Sequence, residues 1–460
     1  MEAAGSATQQ DQMEKLFSHI PYAPYDPAVD VYLDSRVFGL GYGSAVPMEY
    51  SGWREEQLSW KETCYLHAGL NPAPTFTVKG PDALRFYSDV CVNSLTSFPV
   101  GTLKHAVMCN DQGLVVAHGT LWRVAEDEFT SNYLAPYAAY KFYTGGYQAD
   151  GWFVEDSFLL QVAGPAALQA LEAATGECLH DIQFLQHRMS RLAGVDVRIG
   201  RIGMAGTLAY EVHGPTSAAT DLYDAIMRGG ESYGIKKIGF RAFSMNHTEA
   251  GFPQAWIHFP LPWADDPGLL QFLHMPEGGF PMILGGSMGT EMNPRYRNPV
   301  ELGWGNLIKF DHDFIGREAL EKEIDQPRRA MVTLSWNAED ITDIYASQYQ
   351  SGEPYMPMGP SHFGQEHGLT ALYADQVVND GKIIGCSSGR TYSYYYREML
   401  SLCSIDVNQY NFGNEVTVVW GNPGSRQKEV RARVSRFPYL NENRNEMCDV
   451  NNIACCAKQH

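Results

Sequence analysis

The feature that most limits what this chain can fold into is an order of elements that occurs twice. TFTVKG (75–80) reads as a strand entering a turn, and PDALRFYSDVCVNSL (81–95) as a helix begun by Pro and Asp. HAVMCNDQGLVVAHGTLWRVAEDEFTSNYL (105–134) then reads as three strands joined by turns at 110–113 and 125–127, a meander and not a βαβ unit. The order returns in DSFLLQVAG (strand), PAALQALEAATG (a Pro-started, Gly-stopped helix), VDVRIGRIGMAGTLAYEVHG (hairpin) and SAATDLYDAIMRGGESYG (helix). Helices alternating with hairpins build layers on antiparallel sheets, so the expected class is α+β, with no parallel dinucleotide-binding sheet.

From Arg328 the texture changes to short strands, RAMVTLSW, KIIGCSSG, MLSLCSID, EVTVVWG and EVRARVSRFPYL, at the spacing of a small barrel or jelly roll. The expected organisation is a lead-in over 1–50 with a short helix at DQMEKLFSHI, an α+β region over 51–325, a β domain over 326–440 and a loose tail over 441–460. Within the second region, VELGWGNLIKFDHDFIGREALEKE reads as strand, turn and helix, and 265–300 as an ordered insertion or long loop.

At 460 residues the chain is too long for one ordinary core and suggests two or three domains. A net charge of −19 argues against a polyanionic partner, so nucleic acid is excluded. The polar, acidic start lacks a secretory pattern, and no apolar run approaches about 18 residues, which predicts a soluble, cytoplasmic protein with no membrane partner. Nine cysteines, odd in number and without CxxC pairing, fit reduced thiols better than a disulfide framework or a zinc site. Cys448, Cys455 and Cys456 sit in the polar tail, where a frayed terminus is expected and metal capture is the lesser alternative. A homodimer is compatible with all of this.

The segment RAFSMNHTEAGFPQAWIHFPLPW (241–263) gathers Glu249, His247, His258, Trp256 and Trp263 just after a glycine turn at Gly239. Buried polar groups need partners and ligands supply them, so this reads as the wall of a ligand site. Trp256 is the preferred contact for an aromatic ring, because an indole face offers large area and stacking geometry. Downstream, SGRTYSYYYREML places Arg390 at a turn, where it would hold a substrate carboxylate. Strand alternation would send Tyr392, Tyr394 and Tyr396 to one face and Tyr395 and Arg397 to the other.

The ordered series KGPDALRF, NDQGLVVAHGTLWRV, LQVAGPAALQAL, GMAGTLAYEVHGP, GFRAFSMNHTEAG, ELGWGNLIKFDHDFIGREAL and WGNPGSRQKEVRARVSRFPYL resembles the aminomethyltransferase (glycine-cleavage T-protein) superfamily over about 45–440. Within it, the chain is most similar to the tetrahydrofolate-dependent vanillate and syringate O-demethylases. The resemblance implies a T-protein-like three-domain fold around tetrahydrofolate, with Glu249 binding the pterin, Tyr210 and Glu211 adding contacts, and Arg397 near the cofactor tail. A carboxylate accepting two parallel N–H bonds from a pyrimidine edge suits that role for Glu249.

The chain departs from the T-protein pattern at Leu70, Asn71, Pro72 and Ala73, and at Ala117 and His118, where the family carries an acidic pair. The carboxylate serving an aminomethyl substrate is thus missing, which shifts the expectation to methyl transfer from a methoxylated aromatic acid. Syringate is favoured, since Leu134 replaces the arginine of vanillate enzymes. Such a reaction needs a proton or hydrogen bond for the departing oxygen and no metal; the candidates are His118, His247 and Tyr42. Two alternatives stay open: a folate enzyme acting on a sulfonium or methylated amine, and a non-catalytic folate-binding protein.

Overall fold

The computed structural model describes residues 23–24, 26, 28–29, 32–34, 45–71, 73–279, 282–362 and 371–457. Tyr42 and the helix expected over 11–20 lie outside the described residues.

Two helix-and-sheet layers and a barrel make up the fold. The first sheet has the order 103–109, 115–125, 128–132, 75–79, 150–153, every pairing antiparallel. Helices Ala83–Val90 and Tyr137–Gly145 cover it, burying Phe76, Phe86, Tyr87, Phe129 and Phe142. The second sheet runs 187–192, 195–200, 209–214, 158–163, 64–67, 235–237, with helices Ala167–Thr175 and Ala219–Gly230 packed against it around Leu160, Leu171, Val212 and Ile226. Gly176, just past the Ala167–Thr175 helix, takes φ 73°, the left-handed stop that Gly allows without strain.

The last unit is a closed six-strand barrel. Its order is 371–379, 382–393, 398–406, 329–336, 428–435, 415–420, and Val377 opposite Val418 closes the ring. Closure removes the exposed edges of a sheet this size. The core holds Val332, Leu334, Val418, Val430 and Trp420.

In three places the chain departs from what its sequence suggests, and the insertion expected over 265–300 is an ordered one. A helix, Ala338–Ser347, interrupts the barrel strands, with the Asn337 side chain accepting from the N–H groups of Glu339 and Asp340. Segment 300–307 is not a strand: Gly303 turns at φ 77° and Gly305–Leu307 forms a 3-10 turn that buries Trp304. The insertion at 265–300 contributes the Pro267–Phe272 helix and the Ile283–Gly285 strand, which pairs parallel to the barrel. The tail over 441–457 is docked: Val450 is buried in the second core, and Arg201 donates to the carbonyls of Asn445 and Cys448, both at 2.6 Å.

Candidate one-carbon transfer site

The site is built on the helix Phe240–Ala250, which is buried on every side except at Arg241. It starts at Gly239, whose N–H donates to Glu56 Oε2 at 2.8 Å, and a Cβ there would lie 2.2 Å from the Met48 carbonyl oxygen. Glycine is therefore required by close approach of two backbones. Gly251, at φ 63°, stops it.

A helix buried all round is normally apolar all round. This one carries Ser244, Asn246, His247, Thr248 and Glu249 in its interior. Two of these are satisfied internally. Ser244 donates to the Arg241 carbonyl, and Thr248 donates to the Gly389 carbonyl at 2.6 Å, tying the helix to the barrel. His258 Nδ1 accepts from the Gln254 N–H, so its Nε2 carries the proton and donates to Thr248 Oγ1 at 3.0 Å.

The other three are half-satisfied. Glu249 Oε2 receives Trp60 Nε1 at 3.2 Å and an ion pair from Lys61 Nζ, while Glu249 Oε1 is buried without a hydrogen-bond partner. Asn246 Nδ2 donates to Tyr65 OH at 3.2 Å, and its Oδ1 has no partner. His247 Nδ1 donates to the Phe243 carbonyl at 2.8 Å, which leaves Nε2 as an acceptor with nothing to accept. Burial holds His247 neutral, its pKa lowered to about 4.

Neighbouring strands add atoms of the same kind. His67, stacked on Phe243 at 4.1 Å, donates from Nδ1 to the Ile238 carbonyl, so its bare Nε2 is again an acceptor. Gln161 accepts from Tyr65 OH at 2.6 Å and leaves its Nε2 amide without a partner. Lys61 is buried, its pKa lowered by desolvation with the Glu249 charge opposing, and its ammonium lies 4.6, 5.1 and 5.8 Å from the rings of Trp60, Tyr395 and Tyr396. The helix and its surroundings thus present four unpartnered acceptors and one amide donor. Unmade buried hydrogen bonds cost about 1–3 kcal/mol each, so this pattern fits a ligand rich in N–H groups. The pyrimidine edge of a pterin has that character, and these residues fit the cofactor.

The structure spreads the sequence-derived site residues over five neighbourhoods. Glu249 and His247 share the helix. Trp256, half-buried with φ 67°, packs edge-on to Trp263 at 5.5 Å in the loop that follows. His118 packs against Phe252 and Trp304, with ring separations of 6.0 and 4.9 Å, and Phe252 lies 6.1 Å from the His247 ring. Both of its nitrogens are engaged: Nε2 accepts from the Ala255 N–H at 3.1 Å, so Nδ1 donates to His105 Nε2 at 3.3 Å.

Tyr210 and Glu211 lie on Ala209–Gly214, where Glu211 faces Gln161 in register and is 3.0 Å from His213 Nε2. The Tyr210 hydroxyl is buried without a partner, and burial raises its pKa.

The tyrosine run does not alternate as expected. Tyr394, Tyr395, Tyr396 and Arg397 form the turn between two barrel strands, with Arg397 at φ 59°, so Tyr395 and Tyr396 both reach Lys61. Tyr392 and Tyr394 instead pack edge-on to Trp53, at 5.9 and 6.4 Å. Arg397 is exposed, its guanidinium 3.9 Å from the Tyr394 ring centre.

Arg390 is turned into the barrel. It donates to the Gly359 carbonyl at 2.8 Å, lies 4.9 Å from the Trp420 ring, and has its pKa lowered to about 10 by burial, with Asp375 opposing. Sequence reasoning passed over Lys61, Trp60, Asn246, His67 and Gln161. Lys61 carried a weak signal, being a lysine directly after the buried pair Ser59 and Trp60 on its helix.

Residues 37–257 match the model of the GCVT N-terminal domain. A sesamin methylene transferase from a Sinomonas species is 44% identical over 89% of this chain and 93% of its own length. A syringate O-demethylase from a Sphingobium species is 31% identical, covering 90% of this chain and 93% of its own. The crystal structure of aminomethyltransferase T of the glycine cleavage system from Bartonella henselae superposes with a TM-score of 0.66 at 16% identity, over 91% of this chain and 96% of that one. The chain belongs to the GCVT aminomethyltransferase family, and it is an enzyme of the methyltransferase type.

Proposed function

We propose that this enzyme uses tetrahydrofolate to take a one-carbon unit from an aryl ether oxygen, and that its substrate is a neutral methylenedioxyphenyl compound. The observation that carries the cofactor assignment is the set of unpartnered acceptors Glu249 Oε1, Asn246 Oδ1, His247 Nε2 and His67 Nε2 around one buried helix. Glu249 and Asn246, one helical turn apart, would receive the N–H groups of the pterin, and Lys61 would hold Glu249 in place through their ion pair. Bound tetrahydrofolate would supply the nucleophilic nitrogen that accepts the one-carbon unit. His247, neutral and with Nε2 available, would receive a proton and return it to the departing oxygen. Trp256 and Trp304 offer aromatic walls.

The substrate assignment rests on two supports. The 44% identical relative is a sesamin methylene transferase, and sesamin carries methylenedioxyphenyl rings and no charge. Arg390, the expected anchor for a carboxylate, is committed to Gly359 and Trp420 inside the barrel. The syringate O-demethylase relative favours a second reading, methyl transfer from a methoxylated aromatic acid.

An anaerobic assay with tetrahydrofolate separates the readings, using a methylenedioxyphenyl lignan, syringate, vanillate, dimethylsulfoniopropionate and dimethylglycine as donors. The expected products are a catechol and methylenetetrahydrofolate from the lignan. Methyltetrahydrofolate from a methoxybenzoate alone would establish the second reading. Turnover only of the sulfonium or amine, or of nothing, would overturn both.

A further inference from the structure

On the second sheet, far in sequence from the folate helix, four potential metal ligands meet. Glu172 on the Ala167–Thr175 helix, Cys178 and His180 in the following loop, and Cys455 in the tail offer a carboxylate oxygen, two thiols and an imidazole nitrogen, all within 4.8 Å of one another. No other such group of three or more His, Cys, Asp or Glu donors occurs among the described residues. Glu172 is wholly buried, whereas both cysteines are exposed, so the cluster opens to solvent on one side only.

Its details are those of a ligand set. His180 Nε2 lies 3.3 Å from Glu172 Oε1, yet makes no hydrogen bond. A tetrahedron with nitrogen and oxygen ligands about 2.0–2.1 Å from its centre has an edge of about 3.3 Å. The Cys178 and Cys455 thiols touch each other, and the His180 backbone N–H donates to the Cys178 sulfur. Glu172 is already oriented: Oε1 accepts from the Leu179 N–H at 2.8 Å and Oε2 from the Cys456 N–H at 2.7 Å.

We propose that Glu172, Cys178, His180 and Cys455 form a tetrahedral site for a thiophilic divalent cation, zinc by ligand chemistry, that fastens the C-terminal tail to the second domain. Two sulfurs, one imidazole and one carboxylate suit zinc and exclude magnesium and calcium, which take oxygen ligands. All four positions are filled by protein, which makes the site structural. Its consequence reaches the folate helix. The Leu440 N–H donates to the Glu249 carbonyl at 2.7 Å and Arg444 donates to the Ala250 carbonyl at 2.9 Å, so the segment that the metal would pin begins against the helix that carries Glu249.

The test uses the full chain, purified with reductant, stripped with chelator and titrated with Co(II). The expected result is about one equivalent bound, with a thiolate-to-cobalt charge-transfer band and tetrahedral visible bands. These should vanish in Cys178→Ser and Cys455→Ser and survive in Cys456→Ser. Zn(II) should raise the melting temperature of the parent and of Cys456→Ser, leaving that of Cys178→Ser unchanged. His180→Ala, a softer change, should weaken Co(II) binding at least tenfold. Absence of a charge-transfer band, equal binding by Cys178→Ser, or a Cys178–Cys455 disulfide persisting in the reduced protein would overturn the proposal.

Discussion

Glu249 and Lys61 form a buried charge pair, and the two members have different functions in this account: Lys61 supports, Glu249 binds. Breaking a buried pair by removing one partner costs about 3–5 kcal/mol, because the survivor is left charged in a poor solvent. Lys61→Met should therefore lower the unfolding free energy by about that amount in urea titration. Adding Glu249→Gln should restore most of it, since the second change removes the stranded charge. Folate binding should not return in the double variant, because the glutamine presents an N–H where the pterin requires an acceptor. A double variant that binds tetrahydrofolate like the parent would show that Glu249 is a structural carboxylate only. Glu249 was singled out in the sequence because it sits in a segment rich in polar and aromatic groups and falls where the family resemblance implies a pterin-binding carboxylate. Lys61 was not, since it lies 188 positions away and only the packing of two helices makes it a partner. Arg390 shows the same limit: the sequence puts it at a turn, whereas it lies within the strand 382–393, and the direction of its side chain depends on the barrel around it.

The helix Phe240–Ala250 works only if its first residue can pass against the Met48 backbone. Gly239→Ala should cost about 1–3 kcal/mol, the usual range for overpacking, because the obstacle is a carbonyl and the Glu49 amide and not a side chain that can turn away. Differential scanning calorimetry checks it, and an unchanged melting temperature would contradict the stated close approach. Elements like this were readable where the chain punctuates itself with Pro, Asp or Gly: the helices Ala83–Val90 and Ala167–Thr175 and most barrel strands sit where those signals put them. The Ala338–Ser347 helix carried its own signal, an Asn cap followed by Glu and Asp, masked by the strands on either side. The tyrosine run failed for a different reason. Alternation holds only while a strand continues, and the chain turns at Tyr394 through the left-handed Arg397.

At the scale of the whole molecule, burial keeps seven histidines neutral among the described residues. His67 and His362 are lowered to about 3, and His105, His187 and His247 to about 4, while His118 and His258 lie well below their ordinary value. The unfolded chain binds these protons near pH 6.5 and the folded one does not. Their contribution is thus complete above about pH 6.5 and is lost as pH falls toward 4. Asp375, raised to about 6 by burial, and Glu56, also raised by burial, act in the opposite sense over part of that window, but they are two groups against seven. At roughly 1–2 kcal/mol per histidine at pH 5, the loss approaches the entire stability of a typical protein. Circular dichroism should show cooperative unfolding between about pH 6 and 4.5. A protein intact at pH 4 would mean that these imidazoles are hydrated in solution.

The central claim is that unpartnered acceptors on one buried helix exist to hold tetrahydrofolate, and equilibrium binding under anaerobic conditions tests it most directly. Tetrahydrofolate should bind the parent at micromolar concentrations, and binding should weaken by at least a hundredfold in Glu249→Gln and about tenfold in Asn246→Leu, with circular dichroism spectra unchanged. Equal affinity in the parent and both folded variants would contradict it.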